Sequence, residues 1–326
     1  MSFRPRAGLF AVAALLAACS RQVQVSPPES LVPITSAARA LALSDDGTRL
    51  LAGQDDGRVT IVDLEKSAVE RVIPAGRPIQ PVYGVAFLPF GRTGLVAQDG
   101  TVSVLEAGTD AILSRVATGT VRNPSAVLVH RPNLALVGTK SSEIRIVDLD
   151  EKRVIAAPSA QDRNSKAETS ILALALSPDA TTLLVSTSQP ALRTFDVHSN
   201  TSLGALTDGM VEVDSLAFLP DGRTAVAGTS SGELWWIDLI TRKVTRQIQG
   251  RHHAMVSAVG VSADGLLGVS GDAKGGLAFW DARSGKEMGK TGAPGVIVAM
   301  VLAPEGHELY VATEDGYVGR YRITRH

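Results

Sequence analysis

Residues 40–63 read ALALSDDGTRLLAGQDDGRVTIVD, and this stretch decides the fold. A short apolar segment from Ala40 to Leu43 meets the turn Ser44-Asp45-Asp46-Gly47. A second segment, Leu50 to Gly53, meets the turn Asp55-Asp56-Gly57, and a third runs from Val59 to Asp63. Gly and Asp tolerate the positive φ of tight hairpin turns. Val59 and Ile61 alternate with Arg58 and Thr60, which predicts a strand with one buried face and one less so.

The same unit returns along the chain about every forty-two residues. Its first turn recurs at Leu88-Pro89-Phe90-Gly91, His130-Arg131-Pro132-Asn133, Ser177-Pro178-Asp179-Ala180, Leu219-Pro220-Asp221-Gly222, Ser262-Ala263-Asp264-Gly265 and Ala303-Pro304-Glu305-Gly306. Its closing pair, Val62-Asp63, recurs as Leu105-Glu106, Val147-Asp148, Phe195-Asp196, Ile237-Asp238, Trp280-Asp281 and Tyr321-Arg322. Candidate fourth strands lie between units at Ala68 to Ile73, Ala111 to Val116 and Val244 to Ile248. Four short strands in a unit of this length make one propeller blade. The reading is an all-β, seven-bladed β-propeller of four-stranded antiparallel blades. The last unit has no fourth strand after Thr324, so the ring is predicted to be closed by an N-terminal strand within residues 22–36, from Val23 and Val25 or from Leu31 to Thr35.

These landmarks resemble the WD-repeat β-propeller family over nearly the whole mature chain. The sixth unit matches best, with His252, then Ser262-Ala263-Asp264-Gly265, then Trp280-Asp281. The resemblance implies a structural hydrogen-bond network of His, Ser/Thr, Asp and Trp, which most of the other units lack the residues to build. It also implies turn-capping carboxylates at Asp56, Asp99 and Asp315, and a molecule that presents rigid faces to partners.

The chain begins with Arg4 and Arg6, then an apolar run from Ala7 to Ala18 that is too short to span a bilayer. It ends in Leu16-Ala17-Ala18-Cys19, and Cys19 is the single cysteine. This is similar to the lipobox of bacterial lipoproteins, in which that cysteine is acylated and the chain is cut before it. The expected organisation is a signal peptide over 1–18, a lipidated tether over 19–31 and the propeller over 32–326. The expected location is the cell envelope, with the periplasmic side of the outer membrane favoured because Ser20, not Asp, follows the cysteine.

Lys plus Arg is 32 and Asp plus Glu is 33, a net charge of -1, so the composition points away from nucleic acid. One cysteine excludes an intramolecular disulfide and a Cys-based zinc site. No nucleophile elbow or Gly-rich phosphate loop is present, the six histidines are scattered apart from His252-His253, and the acidic pairs Asp45-Asp46 and Asp55-Asp56 fall in hairpin turns. No catalytic residue, cofactor or metal is therefore expected, and the propeller reads as a monomer. Trp235 and Trp236, adjacent on one strand, are expected to pack into opposite faces.

The loops that join one unit to the next vary most, the longest being Ala156 to Ser170. They carry Arg77, Tyr83, Arg122, Arg163, Lys166, Arg251, His252 and His253, the expected partner-binding residues. The functional expectation is a lipid-anchored scaffold or adaptor that binds a protein. The alternative is a periplasmic propeller enzyme, lactonase- or hydrolase-like, or a cofactor-binding protein with its site at the central channel.

Overall fold

A computed structural model describes residues 22–326, apart from 32–33, 35, 75–79, 89–91, 99, 107–108, 110, 119–125, 131–132, 162–168, 190 and 209–211. The first repeat unit becomes an antiparallel sheet in which Ala38–Leu43, Arg49–Gln54, Arg58–Asp63 and Ala68–Pro74 lie in chain order. Five more four-stranded sheets follow, starting with the strands Gly84–Ala86, Ala126–His130, Ile171–Leu176, Val213–Phe218 and Val256–Val261. The starting strands touch one another in turn, and Ile297–Leu302 touches Ala38–Leu43. The molecule is an all-β propeller with four-stranded antiparallel blades.

The turns form as their residues dictate. Asp46 accepts hydrogen bonds from the Ser44 hydroxyl (2.6 Å) and the Thr48 amide (3.0 Å), and Gly47 takes φ +69°. Those bonds, the Ser44 hydroxyl first, hold the Asp46 carboxyl down at about 2. Ser177 with Asp179 and Ser262 with Asp264 repeat the arrangement. In the second hairpin Asp56 caps the Arg58 amide at 3.1 Å, and Asp315 accepts from the Thr313 hydroxyl. Asp99 lies outside the described residues.

Burial departs from simple alternation. Leu50, Leu51 and Ala52 are all buried, as are Val59, Thr60, Ile61 and Val62. A blade is covered on both faces by its neighbours, so the middle strands have no wet side. Thr60 is admitted because its hydroxyl donates to Gln54 Oε1 at 2.6 Å. Trp235 and Trp236 pack into opposite faces as expected, Trp235 with Leu192 and Val213, Trp236 with Trp280. The Trp236 and Trp280 rings meet edge to face at 5.1 Å.

The sheet that holds both chain ends breaks the four-strand pattern. Ile297–Leu302, Glu308–Thr313 and Val318–Arg325 pair in order, and two short strands share the outer edge of Val318–Arg325. Val23, Gln24 and Val25 face Arg325, Thr324 and Ile323, while Glu29 and Ser30 face Arg320 and Gly319. Pro27 and Pro28, which have no amide hydrogen to donate, fall in the gap between the two strands. The expected tether over 19–31 is therefore corrected: Val23–Val25 and Glu29–Ser30 are strand, and Leu31 is buried with its amide on Val318 O at 3.0 Å.

One buried arginine fastens this sheet. Arg320 donates to Glu29 Oε2 through Nη2 at 2.8 Å and to Leu64 O of the first sheet at 3.1 Å. Arg322 holds the other Glu29 oxygen at 2.7 Å. The bond from Arg320 keeps the Glu29 carboxyl below its ordinary value. Replacing Arg320 with Met removes charge-assisted bonds to two other segments, and urea unfolding should register a loss of about 2 kcal/mol. No change in the unfolding midpoint would show that the clasp is idle.

Candidate functional site

Antiparallel pairing sorts the loops onto two faces. The loops between sheets share one face with the turns between second and third strands; the remaining turns share the other. The packing is close. A Cβ on Gly232, which sits at φ +87°, would lie 2.9 Å from the carbonyl oxygens of His252 and Ala254. That contact ties the turn of the fifth sheet to the loop that leads into the sixth.

On this loop face the sixth sheet carries a complete polar network. The Trp280 indole donates to Ser270 Oγ at 3.1 Å, Ser270 Oγ meets His252 Nε2 at 2.7 Å, and His252 Nδ1 meets Asp272 Oδ2 at 2.9 Å. Asp272 also caps the amides of Lys274 and Gly276, each at 2.8 Å. Burial pushes the His252 pKa below its ordinary value, partly opposed by Asp272. A neutral ring donating from Nδ1 and accepting at Nε2 satisfies every partner in the chain.

This network corrects the reading of His252 as a partner-binding residue: its side chain is buried and fully occupied within its own sheet. Arg251 is also interior, 6% exposed, with Nη2 on Gly285 O at 2.7 Å. Burial lowers its pKa, with Glu287 opposing. His253 is exposed and Tyr83 is half-buried. Arg77, Arg122, Arg163, Lys166 and Cys19 lie outside the described residues. Among the described residues, no group of three or more His, Cys, Asp or Glu side chains is placed to hold a metal ion.

The sequence reading missed Asp214. It follows Val213 at the start of the innermost strand of the fifth sheet, where the pairing skips from Val213 to Ser215. The same skip isolates Arg39, Leu172, Ser257 and Val298 in four other sheets. These bulge residues occupy equivalent places, near the loop-face end of the first strand of each sheet. Arg39 is bound by Asp55 at 2.7 and 2.9 Å, and Ser257 donates to Ile297 O at 2.7 Å. Asp214 Oδ2 is buried and meets no hydrogen-bond partner among the described residues. Burial, helped by the nearby Glu212 charge, pushes its carboxyl up to about 6. The signal available in sequence was its place in the repeat, as the one acid among these bulge positions.

Two outcomes follow. His252→Ala should cost about 3 kcal/mol, because it strands a buried carboxylate. His253→Ala should stay within about 0.5 kcal/mol. Equal effects in chemical denaturation would contradict the assignment. Asp214 holds its proton more tightly when folded, so its ionisation weakens the fold above pH 6 and stops doing so below about 4. Asp214→Asn should therefore raise stability at pH 7.5 by about 1–2 kcal/mol, allowing for the solvent it keeps, and by nothing at pH 3.5. A gain independent of pH would contradict the ionised, unpaired state.

No family model matches the chain. It is 35% identical over 98 residues to the small ribosomal subunit protein RACK1y of Oryza sativa subsp. japonica, covering 29% of this chain and 28% of that protein. It is 28% identical over 150 residues to protein groucho of Drosophila melanogaster, covering 45% of this chain and 20% of that protein. The chain thus matches less than a third of either relative's own length. Taken with the four-stranded blades and the His252–Ser270–Asp272–Trp280 network, these similarities support a WD-repeat family for this β-propeller.

Proposed function

We propose that this chain is a lipid-anchored scaffold or adaptor of a bacterial cell envelope, binding a protein partner through the loop face of a seven-bladed ring. In this reading the sheet of both chain ends is the seventh blade, closed by the strand at Val23–Val25. The pairing of Val23 with Arg325 and the contact of Ile297–Leu302 with Ala38–Leu43 support that count. Partial similarity to RACK1y and groucho supports a protein-binding rather than a catalytic role; fold alone would not.

The observation that carries the reading is where the chain start lies. Gln22 O accepts the His326 amide at 3.0 Å, at the end of the last strand and so on the face opposite the loops. Cys19 precedes Gln22 by three residues, a reach of about 10 Å. Acyl chains on Cys19 would hold the turn face toward the bilayer and leave the loop face, with Tyr83 and His253, open to a partner. Two or more acyl chains are needed for a lasting anchor. Ser20, in place of Asp after the cysteine, makes the periplasmic side of the outer membrane the favoured location.

The test is fractionation of cells making the chain or Cys19→Ala, followed by crosslinked capture. The wild type should sediment with membranes and the variant should move to the soluble fraction. A variant that stays with the membranes would overturn the anchor. Failure of the wild type to crosslink any protein through its loop face would overturn the scaffold role.

A further inference from the structure

We propose that the turn-face edge of the fifth and sixth sheets binds anionic phospholipid headgroups, with Ile240 entering the bilayer interface and Arg242, Lys243 and Lys286 meeting the phosphates. The inference rests on the anchored reading given above, to which it adds a membrane contact made by the folded chain itself.

The charge is written in the sequence. The segment from Leu239 to Ala263 carries Arg242, Lys243, Arg246 and Arg251 and no acidic residue. Residues 282–292 add Arg283, Lys286 and Lys290 against one acid, Glu287. The acids at hand are already used: Asp238 accepts from Arg223 at 2.7 Å, and Glu287 lies 3.1 Å from Lys290. Equivalent turns in other sheets balance their charges, Lys66 with Asp63 and Arg153 with Glu151, each at 2.7 Å.

The geometry gathers these cations without neutralising them. Arg242 donates to Ala205 O at 2.6 Å and to Leu203 O at 3.3 Å, and Arg246 donates to Arg283 O at 2.8 Å. A carbonyl orients a guanidinium but leaves its charge intact. The same bonds hold the turn of the fifth sheet on the outer strand of the fourth, and that of the sixth on the outer strand of the fifth. Arg242, Lys243, Arg283 and Lys286 are exposed along the resulting edge.

The apolar groups are a second, independent observation. Ile240, at the tip of the fifth sheet's turn, is 71% exposed, and Leu203, whose carbonyl Arg242 holds, is 49% exposed. One exposed apolar side chain is ordinary. Here two flank an arginine, on the face from which the start of the chain emerges. A Cβ on Gly289 would lie 3.0 Å from Val23 Cγ2, so the first strand runs against the outer strand of the sixth sheet, close to Lys286. The route from Cys19 therefore leads to this edge.

The occupant is a lipid surface rather than an acidic protein. Separate apolar tips among long basic side chains do not make the fitted surface a folded partner needs, yet each can enter a fluid headgroup layer. A basic residue near an anionic bilayer strengthens binding roughly fivefold, and buried apolar area adds to that. Asp45, Asp46 and Glu65 occupy turns of the first sheet, beyond the last sheet. The face is thus polarised, and its basic edge is the part that would meet the bilayer.

The test uses the mature chain, residues 19–326, with Cys19→Ala, which carries no acyl group and keeps every described residue. It is sedimented with vesicles of phosphatidylcholine alone, or of phosphatidylcholine and phosphatidylglycerol in equal parts. It should bind the second and not the first, and less as salt is raised. Lys243→Gln with Lys286→Gln should weaken binding about tenfold or more, and Ile240→Asn about threefold or more. Lys66→Gln, whose charge Asp63 already holds, should change it by less than about twofold. Unfolding midpoints identify the variants that fold. Equal binding to both vesicles, no binding to either, or undiminished binding by the folded double variant would overturn the site. Loss of a crosslinked protein by the double variant, with both vesicles ignored, would assign the edge to an acidic protein instead. A high-salt wash of fractionated membranes should release this contact and not an acyl anchor. A wild type that resists the wash while its unacylated form ignores phosphatidylglycerol therefore sinks this proposal alone.

Discussion

Each blade-like sheet of this protein has two apolar faces and can cover neither by itself. Leu50, Leu51 and Ala52 are buried together only because one sheet lies on either side of theirs. A stack of such sheets leaves two faces and an edge exposed unless its ends meet. The sheet that joins Val23–Val25 and Glu29–Ser30 to Val318–Arg325 therefore bears on every other contact in the molecule. Arg320 matters because it touches both parties: Glu29 from the start of the chain and Leu64 of the first sheet.

The described repeats share a geometry but not a common polar network. In the sixth sheet a chain of hydrogen bonds from Trp280 through Ser270 and His252 to Asp272 staples the loop to the strands. The fifth sheet has Trp236 on the neighbouring face, donating to Ala282 O at 2.8 Å, so an indole there ties two sheets together instead. Apolar packing supplies what the missing networks do not, as at Phe195, which sits among Ile144, Ile171 and Val185. Asp214 is the exception to this economy, an acid on the innermost strand whose Oδ2 meets no donor among the described residues.

Much of the architecture was legible because its landmarks are local. The Ser-x-Asp-Gly turns and apolar–acidic strand ends carry their own chemistry, so the strands at Ala68–Pro74, Ile112–Ala117 and Lys243–Ile248 fall within one residue of where the pattern puts them. Other features depend on what is nearby in space. The start of the chain reads both as a tether, because Ser26, Pro27 and Pro28 look like linker, and as the source of a strand at Val23 and Val25; the short strand at Glu29–Ser30 appears only with the partner edge at Arg320 and Gly319. His252 was legible in two ways, as the structural histidine of the sixth unit and as a partner-binding residue beside Arg251 and His253; Asp272 and Ser270, about twenty residues on, hold it to the first. Asp214 gave no chemical signal of its own, since a bulge appears only once the pairing is known.

The most direct measurement is amide hydrogen exchange at the start of the chain, compared with the first sheet. The amides of Ser26 and Leu31 donate to Arg322 O and Val318 O, and that of His326 to Gln22 O. With the chain's two ends holding one another, these amides should be protected alongside those of Leu51 and Ala52 and be lost only in cooperative unfolding. Exchange at unfolded-chain rates for Ser26 and Leu31, with Leu51 and Ala52 still protected, would mean that the first segment does not belong to the sheet.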